Sequence, residues 1–236
     1  MADDVERVVE RLDGDRWERR TVMSTSADRA ARVLREQVVE GLLRSGTRLP
    51  EQRLAAAIGV SRNTLREALS QLVAERILVR EPHRGVVVAT PDADDVADVY
   101  RVRLLIEPAA VLHGTGHTAP RLAALRAAVE EGWTASGAED WHGVASANQH
   151  FHRAVVALAG SARLDAEAEL LLAEMRLFFH RMEAPGEFHR PYLDENAVIA
   201  DLVLAGRREE AAGRLTDYLA SAQGQLVAHF LGPGRR

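Results

Sequence analysis

The chain has 236 residues, of which 47% are hydrophobic and 28% charged, with a formal net charge of −5. That is enough apolar material for one large core or two small ones. The absence of cysteine excludes a disulfide framework and a thiolate metal site, and no apolar run reaches membrane-spanning length. The charged start (Asp3, Asp4, Glu6, Arg7) has no signal-peptide core, so the expectation is a cytoplasmic protein with no membrane partner.

Charge is unevenly placed. Residues 24–90 carry 11 Arg against 7 acidic residues, whereas residues 91–236 carry 14 Arg against 21. The first part is therefore the anion-binding one, and two domains are expected after a charged arm at residues 1–23: an anion-binding domain at 24–90 and a second domain at 91–236. In the arm, Val5, Val8, Val9 and Leu12 keep helical spacing, which fits a frayed helix as well as disorder.

Ser26 can cap a helix running to about Ser45, with Ala31, Leu34, Val38 and Leu42 buried and Gly46 stopping it. Residues 46–50 read as a short connection. A second helix spans Glu51 to Ile58, Gly59 supplies a tight corner, and a third runs from Ser61 to about Glu75. In that third helix Leu65, Ala68, Leu69 and Leu72 form one apolar stripe, leaving Ser61, Arg62, Asn63 and Arg66 on the opposite face at its N-terminal end. Two β-rich runs, residues 77–80 and 86–89, flank a Pro- and Gly-containing turn and predict a hairpin whose tip carries Arg84 and Gly85. Three helices followed by a hairpin make a winged helix-turn-helix. Ser61, Arg62, Asn63, Thr64 and Arg66 are then the candidates for touching double-stranded DNA, since helix N-termini bind phosphates and Arg and Asn read base edges. Arg48 is a further candidate phosphate contact, while Glu51 and Glu67 read as structural because carboxylates repel the DNA backbone.

After Pro91 the strand signals vanish. Asp92, Asp94 and Asp95 suit the first turn of a helix that passes Tyr100, Arg103 and Glu107 before Pro108 kinks it. Further helices are expected after Pro120 (Leu122, Leu125, Val129, Trp133), over about Glu139 to Ala159, and after Ser161 (Leu164 to Met182). A loop at 184–190 precedes two last helices, about Pro191 to Ala205 and Arg207 to Phe230. The predicted fold is mainly α: a winged helix-turn-helix followed by an all-α antiparallel bundle.

Leu49-Pro50-Glu51, Leu54-Ala55, Gly59-Val60-Ser61-Arg62 and Leu65-Arg66-Glu67-Ala68-Leu69 resemble the GntR family of bacterial transcription regulators. The likeness continues to Arg84-Gly85 at the wing and departs at Ile77, where the family often has Gly. Val99-Tyr100-Arg101-Val102-Arg103 with Glu107, then Phe151-His152 and the stretch from Glu195 to Leu219, resemble the effector domain of the family's FadR branch. The resemblance implies a homodimeric regulator, taken here as a repressor, that binds a pseudo-palindromic operator and answers to a small organic effector, often a carboxylate.

On its own pattern, the bundle places Asn148 and His152 on an otherwise apolar helix face, with Asn196 and Tyr218 on or beside the apolar stripes of two further helices. Such inward polar groups form either a self-satisfied core network or the polar wall of an effector pocket. Arg103 either pairs with Glu107 four residues on or clamps an acidic effector. The resemblance implies a divalent metal held by an Asp, a His four residues later and two more His. The matching positions are Asn148, His152, Asn196 and Tyr218, and one imidazole among them is a poor set of donors, so neither a metal nor another cofactor is expected. His150, His180 and His189 read as exposed or core-edge histidines. No nucleophile motif or catalytic triad can be assembled, which leaves a DNA-binding protein whose bundle only dimerises as the main alternative to a sensor.

Overall fold

The computed structural model describes residues 5–9, 25–179 and 185–231. The chain divides into two compact units, Met1–Thr90 and Pro91–Arg236. In the first, α1 (Ser26–Val39), α2 (Glu51–Ile58) and α3 (Arg62–Ala74) are followed by β1 (Leu78–Glu81) and β2 (Gly85–Val88). Residues 5–9 are also helical and bury Val5 and Val8.

Thr25, rather than Ser26, caps α1: its side chain accepts from the Asp28 amide, and Asp28 reaches back to the Thr25 amide at 2.8 Å. The helix stops at Val39, short of the expected Ser45, because Gly41 enters the left-handed region (φ 71) and the amides of Leu42 and Leu43 both turn back to the Gln37 carbonyl. Gly59 ends α2 the same way at φ 74, setting the corner before α3. The stripe Leu65, Ala68, Leu69 and Leu72 is fully buried. Packing against α1, α2 and β1 gives α3 most of its stability, as for any helix this short.

Residues 46–49 are more than a connection. Leu49 N donates to Val86 O, Val88 N to Thr47 O and Gly46 N to Val88 O, each at 2.9 Å, so this segment adds a third member to the antiparallel wing beside β2. The left-handed backbone position after α3 is at Arg76, one residue before Ile77, where the sequence departs from the family's Gly. Arg76 takes φ 61, and Ile77 is buried in the core.

The second unit has six helices among the described residues: α4 (Ala93–His113), α5 (Ala119–Gly137), α6 (Trp141–Ala157), α7 (Ala162–Phe179), α8 (Pro185–Leu204) and α9 (Arg208–Leu231). Asp92 caps α4 by accepting from the Asp94 and Asp95 amides, and the helix runs on through Pro108 to His113. The central element is α6, which packs on α4, α5, α7 and α8 and places Ala145, Ser146 and Ala147 where neighbours approach closely. The expected loop at 184–190 is instead helical from Pro185 onward, while Ala184 and Met182 lie outside the described residues. Pro191 sits inside α8 despite its missing donor. Phe188 and Tyr192 are buried on either side of it, with Phe188 5.3 Å from the Phe179 ring, and that packing overrides the local break signal.

At the wing tip, Pro82 and His83 form a turn closed by Arg84 N donating to Glu81 O at 3.2 Å, with His83 at φ 64. A non-glycine residue in that region is strained by roughly 1 kcal/mol. His83→Gly is therefore expected to raise the stability of the first unit by roughly 0.5–1 kcal/mol in equilibrium denaturation. No change, or a loss, would show that the turn is not strained at His83.

Candidate functional site

The exposed end of α3 is built by its cap. Ser61 accepts from the Thr64 amide at 3.1 Å, and the two hydroxyls lie 2.8 Å apart, so both serve the helix start first. Arg62 and Asn63 are exposed, and their side chains make no hydrogen bond among the described residues. Arg66 donates from Nε to Glu51 Oε2 at 2.7 Å. That contact occupies the side of the guanidinium and leaves both terminal nitrogens, the pair that forks onto a guanine edge, pointing on. Glu51, read from sequence as structural, thus positions a candidate DNA-reading arginine. On the wing, Arg84 pairs with Glu81 and reaches the Gly46 carbonyl at 3.5 Å, Gly85 pairs with Glu81 in the strand register, and exposed Arg48 bridges to Val87.

Inside the bundle the structure joins all five predicted pocket residues into one hydrogen-bonded chain, together with Glu107. Arg103 Nε donates to Glu107 Oε1 at 2.6 Å, the other carboxylate oxygen lies 2.7 Å from His152 Nδ1, and His152 Nε2 lies 3.1 Å from the Tyr218 hydroxyl. Tyr218 in turn donates to Asn148 Oδ1 at 3.0 Å, which also accepts from Asn196 Nδ2 at 2.9 Å. Helices α4, α6, α8 and α9 each contribute. Arg103 and Glu107 are each 2% exposed and His152 is 1% exposed. Arg103 is sealed further by Met175 Sδ at 2.8 Å and by the Tyr100 ring, 4.6 Å from its guanidinium.

Burial alone would raise the Glu107 pKa, but Arg103 and then His152 beside it hold it down at about 2. Burial lowers that of His152 and Arg103 lowers it further, against the opposing pull of Glu107, so the imidazole is neutral. Burial raises Tyr218 well above an ordinary phenol, which keeps its proton. A neutral His152 gives its one proton to the Glu107 carboxylate. Its Nε2 then needs the single Tyr218 proton that Asn148 Oδ1 also accepts, so the chain is one donor short. Two further atoms are open: among the described residues, buried Arg103 Nη2 and Asn196 Oδ1 have no hydrogen-bond partner.

This donor set does not fit a transition metal. Both His152 nitrogens are committed within the chain, Tyr218 stays protonated, and among the described residues no three His, Cys, Asp or Glu converge. Four further polar residues are buried in the bundle among the described residues, Ser146, Gln149, Arg176 and His189, and the last corrects its sequence reading as an exposed or core-edge histidine. His189 is 1% exposed with neither ring nitrogen bonded, and Gln149 is fully buried with its amide unbonded. The helical position of His189 was hidden by the glycine and prolines around it.

Residues 26–88 match the family described as bacterial regulatory proteins, gntR family, and residues 98–221 match the FCD domain. The chain belongs to the GntR family and carries an FCD domain. A crystal structure from Rhodococcus sp. RHA1, assigned to the GntR transcriptional regulators, superposes with a TM-score of 0.79 at 37% identity, covering 90% of this chain and 100% of that one. The E. coli protein McbR/YncC shares the fold, with a TM-score of 0.74 at 24% identity over 86% of this chain and 98% of that one. The gluconate operon transcriptional repressor of Bacillus subtilis is 44% identical over 79 residues, which is 34% of this chain and 32% of the repressor. That match spans about a third of the repressor's length. The FCD match contains the whole buried chain from Arg103 to Tyr218, and the GntR match contains α1 to β2. This is therefore a DNA-binding transcription regulator with an effector-binding type of domain.

The buried histidines of the FCD bundle make it sensitive to acid. Burial, and then Arg176, push His189 down to about 3 from its ordinary 6.5. A folded-state pKa that is lowered for a histidine means the unfolded chain takes up a proton the folded chain refuses. Stability is then lost as pH falls from about 6.5 towards 3, by up to about 1.4 kcal/mol per pH unit. His152 acts in the same direction, and Glu107 adds its share between 4.5 and about 2. His189→Gln should flatten the decline between pH 7 and pH 5 in urea unfolding monitored on the bundle. An equally steep decline in the variant would refute a neutral, buried His189.

Proposed function

We propose that this GntR regulator is a cytoplasmic homodimeric repressor that binds a pseudo-palindromic operator and is released by a small organic acid entering the FCD bundle, with no bound metal or other cofactor. The observation that carries it is the incomplete buried chain. Arg103 Nη2 offers a charged donor, while Asn196 Oδ1 and the contested Tyr218 proton ask for a donor in return. A carboxylate that also carries a hydroxyl answers both needs. Leaving such buried groups unpaired costs about 1–3 kcal/mol each, so a ligand that completes them has a matching driving force.

On the DNA side, Arg62, Asn63 and the free end of Arg66 read bases, Arg48 and Arg84 hold phosphates, Ser61 and Thr64 set the helix start against the backbone, and Gly85 lets the wing tip approach. One short recognition helix spans only a few base pairs, and two-fold symmetry doubles the site. The repressor sense follows the gluconate operon repressor, whose likeness to this chain is confined to about a third of its own length. A bundle that only dimerises is favoured by one feature, the use of both His152 nitrogens within the chain. Stabilisation of the full chain by hydroxycarboxylates in thermal unfolding, with release of operator DNA, supports the sensor; its absence across such a series supports the dimeriser.

Arg62→Ala and Arg66→Ala should each weaken operator binding by about 1–3 kcal/mol without loss of fold, and Arg48→Ala should chiefly lower the salt slope. Unchanged operator affinity in the Arg62/Arg66 double variant, measured by titration, contradicts the assignment. Light scattering of the full chain at micromolar concentration should give a dimer. His152→Ala should blunt the effector response while metal content stays near zero. About one Zn²⁺ or Ni²⁺ per subunit in protein purified without chelator or a nickel column, lost on His152→Ala, would refute the metal-free site.

A further inference from the structure

Helices α8 and α9 enclose a groove of about 300 Å³ that opens to solvent. Its walls are aromatic and its charge is negative. Tyr192 and Tyr218 both line it, their rings meeting edge to face with centroids 4.7 Å apart. The one basic residue lining it, Arg214, is held bidentately by Glu195 at 2.8 and 2.9 Å, which cancels one charge of each sign. Asp217 then remains, exposed and without an ion pair among the described residues, under only the longer-range pull of Arg214, so the lining keeps one net negative charge. An aromatic lining with a net negative charge attracts an organic cation and repels an anion, and the acidic balance of the whole second unit, 14 Arg against 21 acidic residues, adds to that preference.

Tyr218 ties this groove to the interior. It lines the groove, yet its hydroxyl is the link between His152 and Asn148. Tyr192 likewise donates its hydroxyl to Gln225 Oε1 at 3.0 Å, which fixes the second ring without filling the groove. We propose that the groove binds a small organic ammonium ion, with Asp217 as counter-charge and Tyr192 and Tyr218 as walls, and that Tyr218 passes its occupancy to the buried chain. This ligand is distinct from, and opposite in charge to, the organic acid proposed above. A cation pressed against the Tyr218 ring favours one setting of its hydroxyl, and that setting decides whether His152 or Asn148 receives the contested proton.

Phenethylamine and phenylacetate are a fitting pair of probes, since they have similar aromatic bodies and opposite charges. In calorimetric titration of the full chain, phenethylamine should bind saturably at millimolar concentration and phenylacetate should not. Asp217→Asn should weaken the amine roughly two- to fivefold, the range an exposed charge pair supports, and Asp217→Arg should abolish it. Tyr218→Phe keeps the ring and should keep binding, but should lose the shift in operator affinity that the amine causes in the wild type. Phenylacetate binding as tightly as the amine, amine binding unchanged in Asp217→Arg, or no saturable amine binding each overturns the site. Binding that leaves wild-type operator affinity unchanged overturns the link through Tyr218. If no operator is bound at all, the regulator reading fails, and the titration still decides the groove.

Discussion

The ion pair between Arg103 and Glu107 is what the bundle is built to accommodate. Two charges at 2% exposure have lost their water, and in such a place a lone charge is far costlier than a matched pair. The pair itself adds little net stability, but each partner makes the other obligatory: removing one typically costs about 3–5 kcal/mol because the other is stranded. Everything else follows in sequence around it. Glu107 uses its second oxygen on His152, burial keeps that ring neutral, and the neutral ring hands the remaining hydrogen-bond demand to Tyr218 and the two asparagines. A chain of fixed charges and single protons thereby holds four helices of the FCD domain in one register.

The arginines proposed to read DNA obey a different economy, because they are exposed. Arg66 with Glu51 and Arg84 with Glu81 are pairs in high dielectric, each worth about 0–1 kcal/mol. Such contacts are loose enough to be exchanged for phosphate or base contacts, yet directional enough to hold a long side chain ready. The Glu51 contact through Nε is compatible with simultaneous base reading, whereas Arg84 must rotate away from Glu81 to meet a phosphate. The recognition helix is thus preset and the wing is adjustable.

Local periodicity made most of the fold legible. The buried stripe of α3, the hairpin and the helical second unit all follow from spacings of 3.6 and 2 within single segments. Two errors fall where a longer-range contact decides. Residues 46–49 join the wing through partners some 40 positions away, and Phe188 draws 185–190 into a helix that proline and glycine argue against locally; the early end of α1 at Gly41 is instead a local turn, the Leu42 and Leu43 amides meeting the Gln37 carbonyl. The candidate site was legible as a set of residue types facing inward, but its pairing was not. Sequence left Arg103 open between Glu107 and an effector, whereas the structure commits its Nε to Glu107 and keeps Nη2 open, which is a division no spacing could show. Glu51 read as structural, but its partner Arg66 was not legible because it lies 15 positions on, across the corner at Gly59.

Replacing three ionisable or imidazole donors by Asn148, Asn196 and Tyr218 changes how such a bundle can respond. A divalent cation would fix a local double positive charge and receive a carboxylate directly. Here the buried charges of the chain are Arg103 and Glu107, which sum to zero, so an entering acid has no unopposed cation waiting. It can bind Arg103 Nη2 only by sharing the guanidinium with Glu107, and any loosening of Glu107 weakens its hold on His152 Nδ1. In the proposed sensor, His152 would then shift against Tyr218, and Tyr218 against Asn148 and Asn196, so that capture of the ligand and rearrangement of four helices would be one event. On that proposal coupling would arise from scarcity, since His152 Nε2 and Asn148 Oδ1 compete for the single Tyr218 proton.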